Sequence, residues 1–136
     1  MNAADAADAQ SEEAKPAPRV LTDAELDALL QEQQFGVLAT VKRSGHPHLS
    51  TVVYRWDPEE RTVRVSATKD RLKVRHIGRD PHVALHVYGP DVWSFAVVEG
   101  EATVVPDPGG ETEDRVTIEL RAARLYGTAL DFPSGS

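Results

Sequence analysis

The chain has 136 residues, 22 acidic against 15 basic, a formal net charge of -7 and no cysteine. That length suits one domain with a real core, the acidity argues against broad nucleic-acid binding, and the lack of thiols removes disulfides, thiolate metal sites and cysteine nucleophiles. No apolar run approaches the roughly 18 residues of a membrane span, and the N-terminus lacks a signal-peptide pattern, so the expectation is a cytoplasmic protein without membrane contact.

Residues 1–19, MNAADAADAQSEEAKPAPR, carry almost no bulky apolar side chain to offset the entropy of ordering, and read as a disordered acidic tail. LTDAELDALLQEQQ follows. Thr22 and Glu25 stand at capping-box spacing, and Leu21 and Leu26 where a hydrophobic staple forms, which predicts a helix. The period then becomes alternating in FGVLATVK, HLSTVVYRW and TVRVSA, with RSGHP and DPEER as turns between them: three consecutive antiparallel strands. HVALHVY and VWSFAVVEGEATVV continue the alternation, with Gly100 marking a bulge or bend. VTIELRAARLYG is read as a last strand, although ELRAARL would also suit a helix. Six strands with no helix between most of them exclude a doubly wound sheet and point to a small antiparallel barrel over residues 20–130, with residues 131–136 as a short tail.

Between the third and fourth strands lies SATKDRLKVRHIGRDP, with Lys69, Arg71, Lys73, Arg75 and Arg79 in eleven consecutive positions. A short helix starting near Lys69 and stopped by Asp80 and Pro81 fits this segment. Its first turn would present free backbone N–H groups and the positive end of the helix dipole, with the hydroxyls of Ser66 and Thr68 beside it. Cations in a first helical turn oppose the dipole, which suggests an anion site, but spacing alone suits a solvated basic face equally well.

The histidines give little. His46 and His48 share a strand face without a third ligand in a suitable place, and His82 and His86 lie about 13 Å apart on a strand, too far for one ion; no metal is expected. No hydrolase or nucleotide-binding motif occurs. Trp56 and Phe95 suit core packing, and Trp93 suits core or pocket equally.

GVLATV, GHPHLSTVVYRWDP, VRVSAT followed by RLKVR and RDP, and WSFAVVEGEA together span residues 35–105. In these segments the chain resembles the split β-barrel flavin and deazaflavin oxidoreductases, the superfamily of pyridoxamine 5'-phosphate oxidase, and within it the F420-dependent branch. The resemblance implies a mainly β, six-stranded antiparallel split barrel of the FMN-binding type, with an N-terminal helix and one short helix. It further implies a homodimer with coenzyme F420 at each of two interfacial sites, FMN being the alternative cofactor. Carried over by position, Ser66, Arg71 and Lys73 match the phosphate-gripping residues, with Thr68 in the same turn. His76 stands where relatives often carry Asn. Pro47, His48, Ser50 and Thr51 match residues lining the ring system, and Trp93 matches an aromatic approaching the pocket. The activity implied is hydride transfer from reduced F420 to a small unsaturated substrate, with His48 or Tyr54 as candidate proton donors and no catalytic side chain assigned. An FMN-dependent reductase or oxidase, or a non-catalytic deazaflavin carrier, would present the same motifs. In the family a longer helical segment precedes the last strand, whereas here only Pro106 to Asp114 does.

Overall fold

The computed structural model describes residues 17–107 and 114–131. Nine strands and two helices follow in the order β1 (Ala17–Val20), α1 (Asp23–Glu32), β2 (Phe35–Val41), β3 (Pro47–Val53), β4 (Arg55–Asp57), β5 (Thr62–Thr68), α2 (Leu72–Arg79), β6 (His82–Tyr88), β7 (Phe95–Pro106), β8 (Arg115–Tyr126) and β9 (Thr128–Asp131).

Seven strands form one antiparallel sheet in the order β3-β2-β6-β7-β8-β5-β4. β3 and β4 lie at opposite edges, yet only Tyr54 separates them in sequence. The sheet must therefore curl until its edges approach, which makes a split barrel out of an open order. Tyr54 marks the break because its N–H leaves the ladder and bonds to the Gln34 carbonyl at 3.0 Å. HLSTVVYRW is thus two strands rather than one.

The inner face holds the core. Leu38, Val63, Val65, Leu85, Val87, Val98, Ile118 and Leu120 are all buried, supplied by alternate positions of five strands. α1 contributes Leu26, Leu29 and Leu30. The helix begins where the capping box predicts: Thr22 Oγ1 accepts from the Glu25 N–H, and the Glu25 carboxylate accepts from the Thr22 N–H at 2.9 Å. β7 and β8 shift register between Glu99 and Gly100, the bulge expected at that glycine. A Cβ there would stand 2.0 Å from the Arg121 carbonyl oxygen, so only glycine lets the two backbones approach.

Three expectations need correction. Among the described residues there are nine strands instead of six, the extra ones being short. The last segment is the strand read from the sequence, twelve residues long, β8; its inner residues Ile118 and Leu120 are wholly buried, so packing overrides the helical propensity of ELRAARL. The short helix starts at Leu72 rather than near Lys69. The Lys69 amide still bonds to the Asp114 carbonyl at 2.8 Å, prolonging the alignment of β5 with β8, and Arg71 keeps an extended backbone. Finally, β1 starts at Ala17, inside the segment read as tail, and pairs with β9 from Ala17↔Asp131 to Val20↔Thr128. Arg19 ties this ribbon down, its guanidinium reaching Glu25 and Asp131, each at 2.8 Å. The remaining tail residues, 1–16, and residues 132–136 lie outside the described residues.

Candidate functional site

Where the barrel is split, β3 and β5 leave a cleft of about 480 Å³ between them, closed behind by β8 and α2. Its wall carries Arg55, Arg64, Lys73 and Arg115 together with the hydroxyl residues Thr51, Ser66 and Thr117, and none of its lining residues is acidic. In a chain of net charge -7, that is a local reversal of sign.

The four cations are not equivalent. Arg64 is already satisfied: it bonds to Asp57 and Glu119, each at 3.0 Å, and to Glu60. Those carboxylates hold its guanidinium firmly protonated, and its role is to tie β4, β5 and β8 together. Arg55, Lys73 and Arg115 pair with no carboxylate among the described residues. Lys73 is half-buried, and burial together with the neighbouring Arg71 charge pushes its ammonium below the ordinary lysine value. Keeping that charge in place is unfavourable unless an anion shares the space.

Strand alternation sorts the sequence-predicted residues. Ser66 lies on the outer face of β5, where its Oγ accepts from Arg115 Nη2 at 2.7 Å, and Thr51 lies on the outer face of β3. These two and Lys73 line the cleft. Thr68 and Arg71 flank it in the turn before α2. The Arg71 N–H bonds to the Thr68 carbonyl at 3.1 Å, Arg71 is the N-cap with no side-chain bond, and the amides of Leu72 and Lys73 find no backbone acceptor among the described residues. Pro47 also points outward, and lines a separate groove with Ala39, Val41 and Ala84 on its apolar side and Glu99 and Arg124 beside them.

His48 and Ser50 turn the other way. They lie inside with His76, whose Nδ1 is 2.9 Å from Thr40 Oγ1 and whose ring meets that of His48 edge to face at 5.0 Å. His48 Nδ1 and Ser50 Oγ are buried without a partner. Burial first, then the charges of His48, Arg79 and Lys42, hold His76 below the usual histidine value. This cluster lies behind β3, apart from the cleft.

Trp93 stands in the turn before β7, 52 % exposed, and does not line the cleft. Like Phe35, Leu49, Val53 and Tyr88, it is an apolar side chain more than half exposed. His86 stacks on Phe95 at 5.3 Å. Tyr54 lines the cleft, but its buried hydroxyl donates to the Leu30 carbonyl at 2.7 Å and burial raises its pKa far above the ordinary tyrosine value. Among the described residues no three His, Asp or Glu side chains gather at metal-ligating distance, and no helix is long and apolar enough to cross a membrane.

Sequence reasoning missed Arg55 and Arg115. Arg55 opens β4, one residue beyond the end of β3, and the alternation from Thr51 through Val53 could have placed it on the same outer face. Arg115 had no local signal, since its position depends on the pairing of β8 with β5.

Known proteins share this architecture. A structure described as an F420 reductase is 31% identical, with a TM-score of 0.63 over 73% of this chain and 94% of that one. A FAD-binding protein from Mesorhizobium loti superposes with a TM-score of 0.72 over 85% of this chain and 98% of its own at 18% identity, a likeness of fold. The 5a,11a-dehydrotetracycline/5a,11a-dehydrooxytetracycline reductase of Streptomyces rimosus is 27% identical over 118 residues, covering 78% of this chain and 83% of that protein. Residues 22–134 match the pyridoxamine 5'-phosphate oxidase family, and with its split barrel the chain belongs to that family.

Proposed function

We propose that this protein is an F420H2-dependent reductase that works as a homodimer on a small unsaturated substrate. The observation that carries the reading is the acid-free cationic cleft between β3 and β5, which holds Ser66 and Lys73 together in an otherwise acidic chain. Its cations and hydroxyls suit a phosphate-bearing cofactor, and the 31% identity to a protein described as an F420 reductase favours the deazaflavin over FMN.

When bound, reduced F420 would supply the hydride. The protein's own residues then bind and orient. Lys73, Ser66 and the first amides of α2 hold the phosphate, with Arg71 and Thr68 beside them. Thr51, on the outer row of β3, would line the side of the site next to the phosphate-binding residues. A second copy placed on Phe35, Leu49, Val53, Tyr88 and Trp93 would cover these apolar side chains and exclude water from the ring. With Tyr54 committed to Leu30 and His48 turned inward, neither is placed to supply the proton, and the proposal leaves that role to solvent.

The test is mass spectrometry of the small molecule that stays with the protein when it is isolated from a host making deazaflavins, followed by oxidation of F420H2 against a panel of conjugated alkenes and quinones. Retained F420 and turnover support the reading. Retained FMN replaces the cofactor, and tight F420 binding without turnover makes the protein a carrier.

A further inference from the structure

Arg115 lies in none of the segments that carry the family resemblance, yet it lines the cleft. The register of β5 with β8 pairs Thr68 with Arg115 and Ser66 with Thr117, so Arg115 stands diagonally across from Ser66 on the same outer face. Its Nη2 donates to Ser66 Oγ at 2.7 Å. A serine hydroxyl has one proton and two lone pairs. With a lone pair taken by a guanidinium that can only donate, the Ser66 proton is left without an acceptor among the described residues, in a cleft whose lining offers no carboxylate.

The contrast with Arg64 sharpens the point. Of the three arginines that line the cleft, Arg64 is bonded to three carboxylates and Arg115 to a single neutral hydroxyl. A guanidinium carries five N–H donors, and Arg115 uses one of them here. We propose that Arg115 is a further phosphate-binding residue of this cleft and also positions Ser66, by fixing the serine as a donor toward the same phosphate. The inference rests on the reading of the cleft as a cofactor site. It adds to Lys73 a planar fork that holds two phosphate oxygens at once, where the lysine is a point charge. Because one contact comes from β8 and the other from α2, the phosphate is held by two elements that meet only in the folded barrel.

The test compares ligands that share a ring and differ in the phosphate-bearing chain: FMN against riboflavin, and F420 against its phosphate-free deazaflavin core, each titrated by fluorescence. Arg115→Gln should weaken FMN and F420 by about 10- to 150-fold and leave riboflavin and the bare deazaflavin unchanged. Arg115→Lys should recover part of the loss, since charge returns without the fork. Ser66→Ala should cost less in the Arg115→Gln background than in the wild type, because an unoriented hydroxyl is a poorer donor. Equal losses for ligands with and without phosphate, no loss at all, or a wild type that binds no phosphorylated ligand would each overturn the proposal. The functional reading fails separately: a phosphate-specific loss at Arg115 with no turnover of any acceptor removes the reductase and leaves Arg115 in place.

Discussion

Trp56 Nε1 donates to Asp27 Oδ1 at 2.7 Å, joining the edge strand β4 to the middle of α1. Two residues earlier in sequence, Tyr54 donates to the Leu30 carbonyl one turn further along that helix. α1 is thus bonded to the segment where the sheet turns from one edge to the other, and it holds the barrel's curl. Trp56→Phe keeps most of the apolar contact but removes a charge-assisted bond at a part-buried site. It should lower stability by about 1.5–3 kcal/mol in urea unfolding, while ligand affinity in the cleft stays unchanged. A matching loss of affinity would mean that the curl and the cleft are one cooperative unit.

Gly100→Ala tests the bulge. The new Cβ would lie 2.0 Å from the Arg121 carbonyl oxygen, which belongs to a paired strand and cannot swing away like a side chain. The substitution should cost at least about 2 kcal/mol by thermal or chemical unfolding. Substituting Gly78, where an added Cβ meets nothing within 4 Å, should be close to neutral or stabilising, since it sits within α2.

Truncation distinguishes the tail from the strand. Removing residues 1–16 leaves the β1–β9 ribbon whole, and with almost no bulky apolar side chains in that segment the melting temperature should not change. Removing residues 1–20 deletes the partner of β9 and the Arg19 bonds to Glu25 and Asp131. The melting temperature should then fall by several degrees. Equal behaviour of the two truncations would show that β1 contributes nothing to the barrel.

The parts legible in the sequence are those whose causes are local. The capping box of Thr22 and Glu25, the bulge at Gly100 and the strand alternation follow from spacing of a few residues; the first two are found where expected, and the alternation holds except that HLSTVVYRW is broken at Tyr54. The elements missed depend on distant pairing: β1 exists through β9, the delay of α2 to Leu72 comes from the Lys69 bond to Asp114, and Arg115 reaches Ser66 across a ladder. The same logic divides the candidate site. Reading Pro47, His48, Ser50 and Thr51 as one lining ignores that a strand sends neighbours to opposite faces, and only the geometry of β3 sends Thr51 to the cleft and His48 inward to His76.

The inner histidine gives a pH dependence with a definite sign. Burial and nearby cations lower the His76 pKa on folding, so below the unfolded value, near 6.5, the unfolded chain takes up protons that the native chain refuses. Stability should therefore fall as pH drops from about 7 toward 5. His82 has the opposite shift, raised by its bond to Asp80, and its contribution is lost as pH rises through the same range. Urea midpoints at pH 5 and 7 should thus show a smaller acid loss in His76→Asn and a larger one in His82→Ala. Identical slopes in both variants would mean that neither ring changes protonation on folding.

Lys73 and Arg75 provide the sharpest test of the cleft. Both belong to α2, but Lys73 lines the cleft and is half-buried, whereas Arg75 is exposed and outside it. If the cleft holds a phosphate, Lys73→Ala removes a charge-assisted bond worth about 1.5–3 kcal/mol, or roughly 10- to 150-fold in affinity for F420 or FMN. Arg75→Ala removes only a screened charge at longer range and should cost a few-fold at most. The lowered Lys73 pKa adds a second signature: wild-type affinity should decline on the alkaline side at a pH below that of an ordinary lysine, and the Lys73→Ala variant should lose this decline. Added salt should weaken the wild type more steeply than Lys73→Ala, because one screened contact is gone. Calorimetry that found equal losses for both substitutions would make the basic stretch a solvated surface, and tight binding untouched by either would put the anion somewhere other than between β3 and β5.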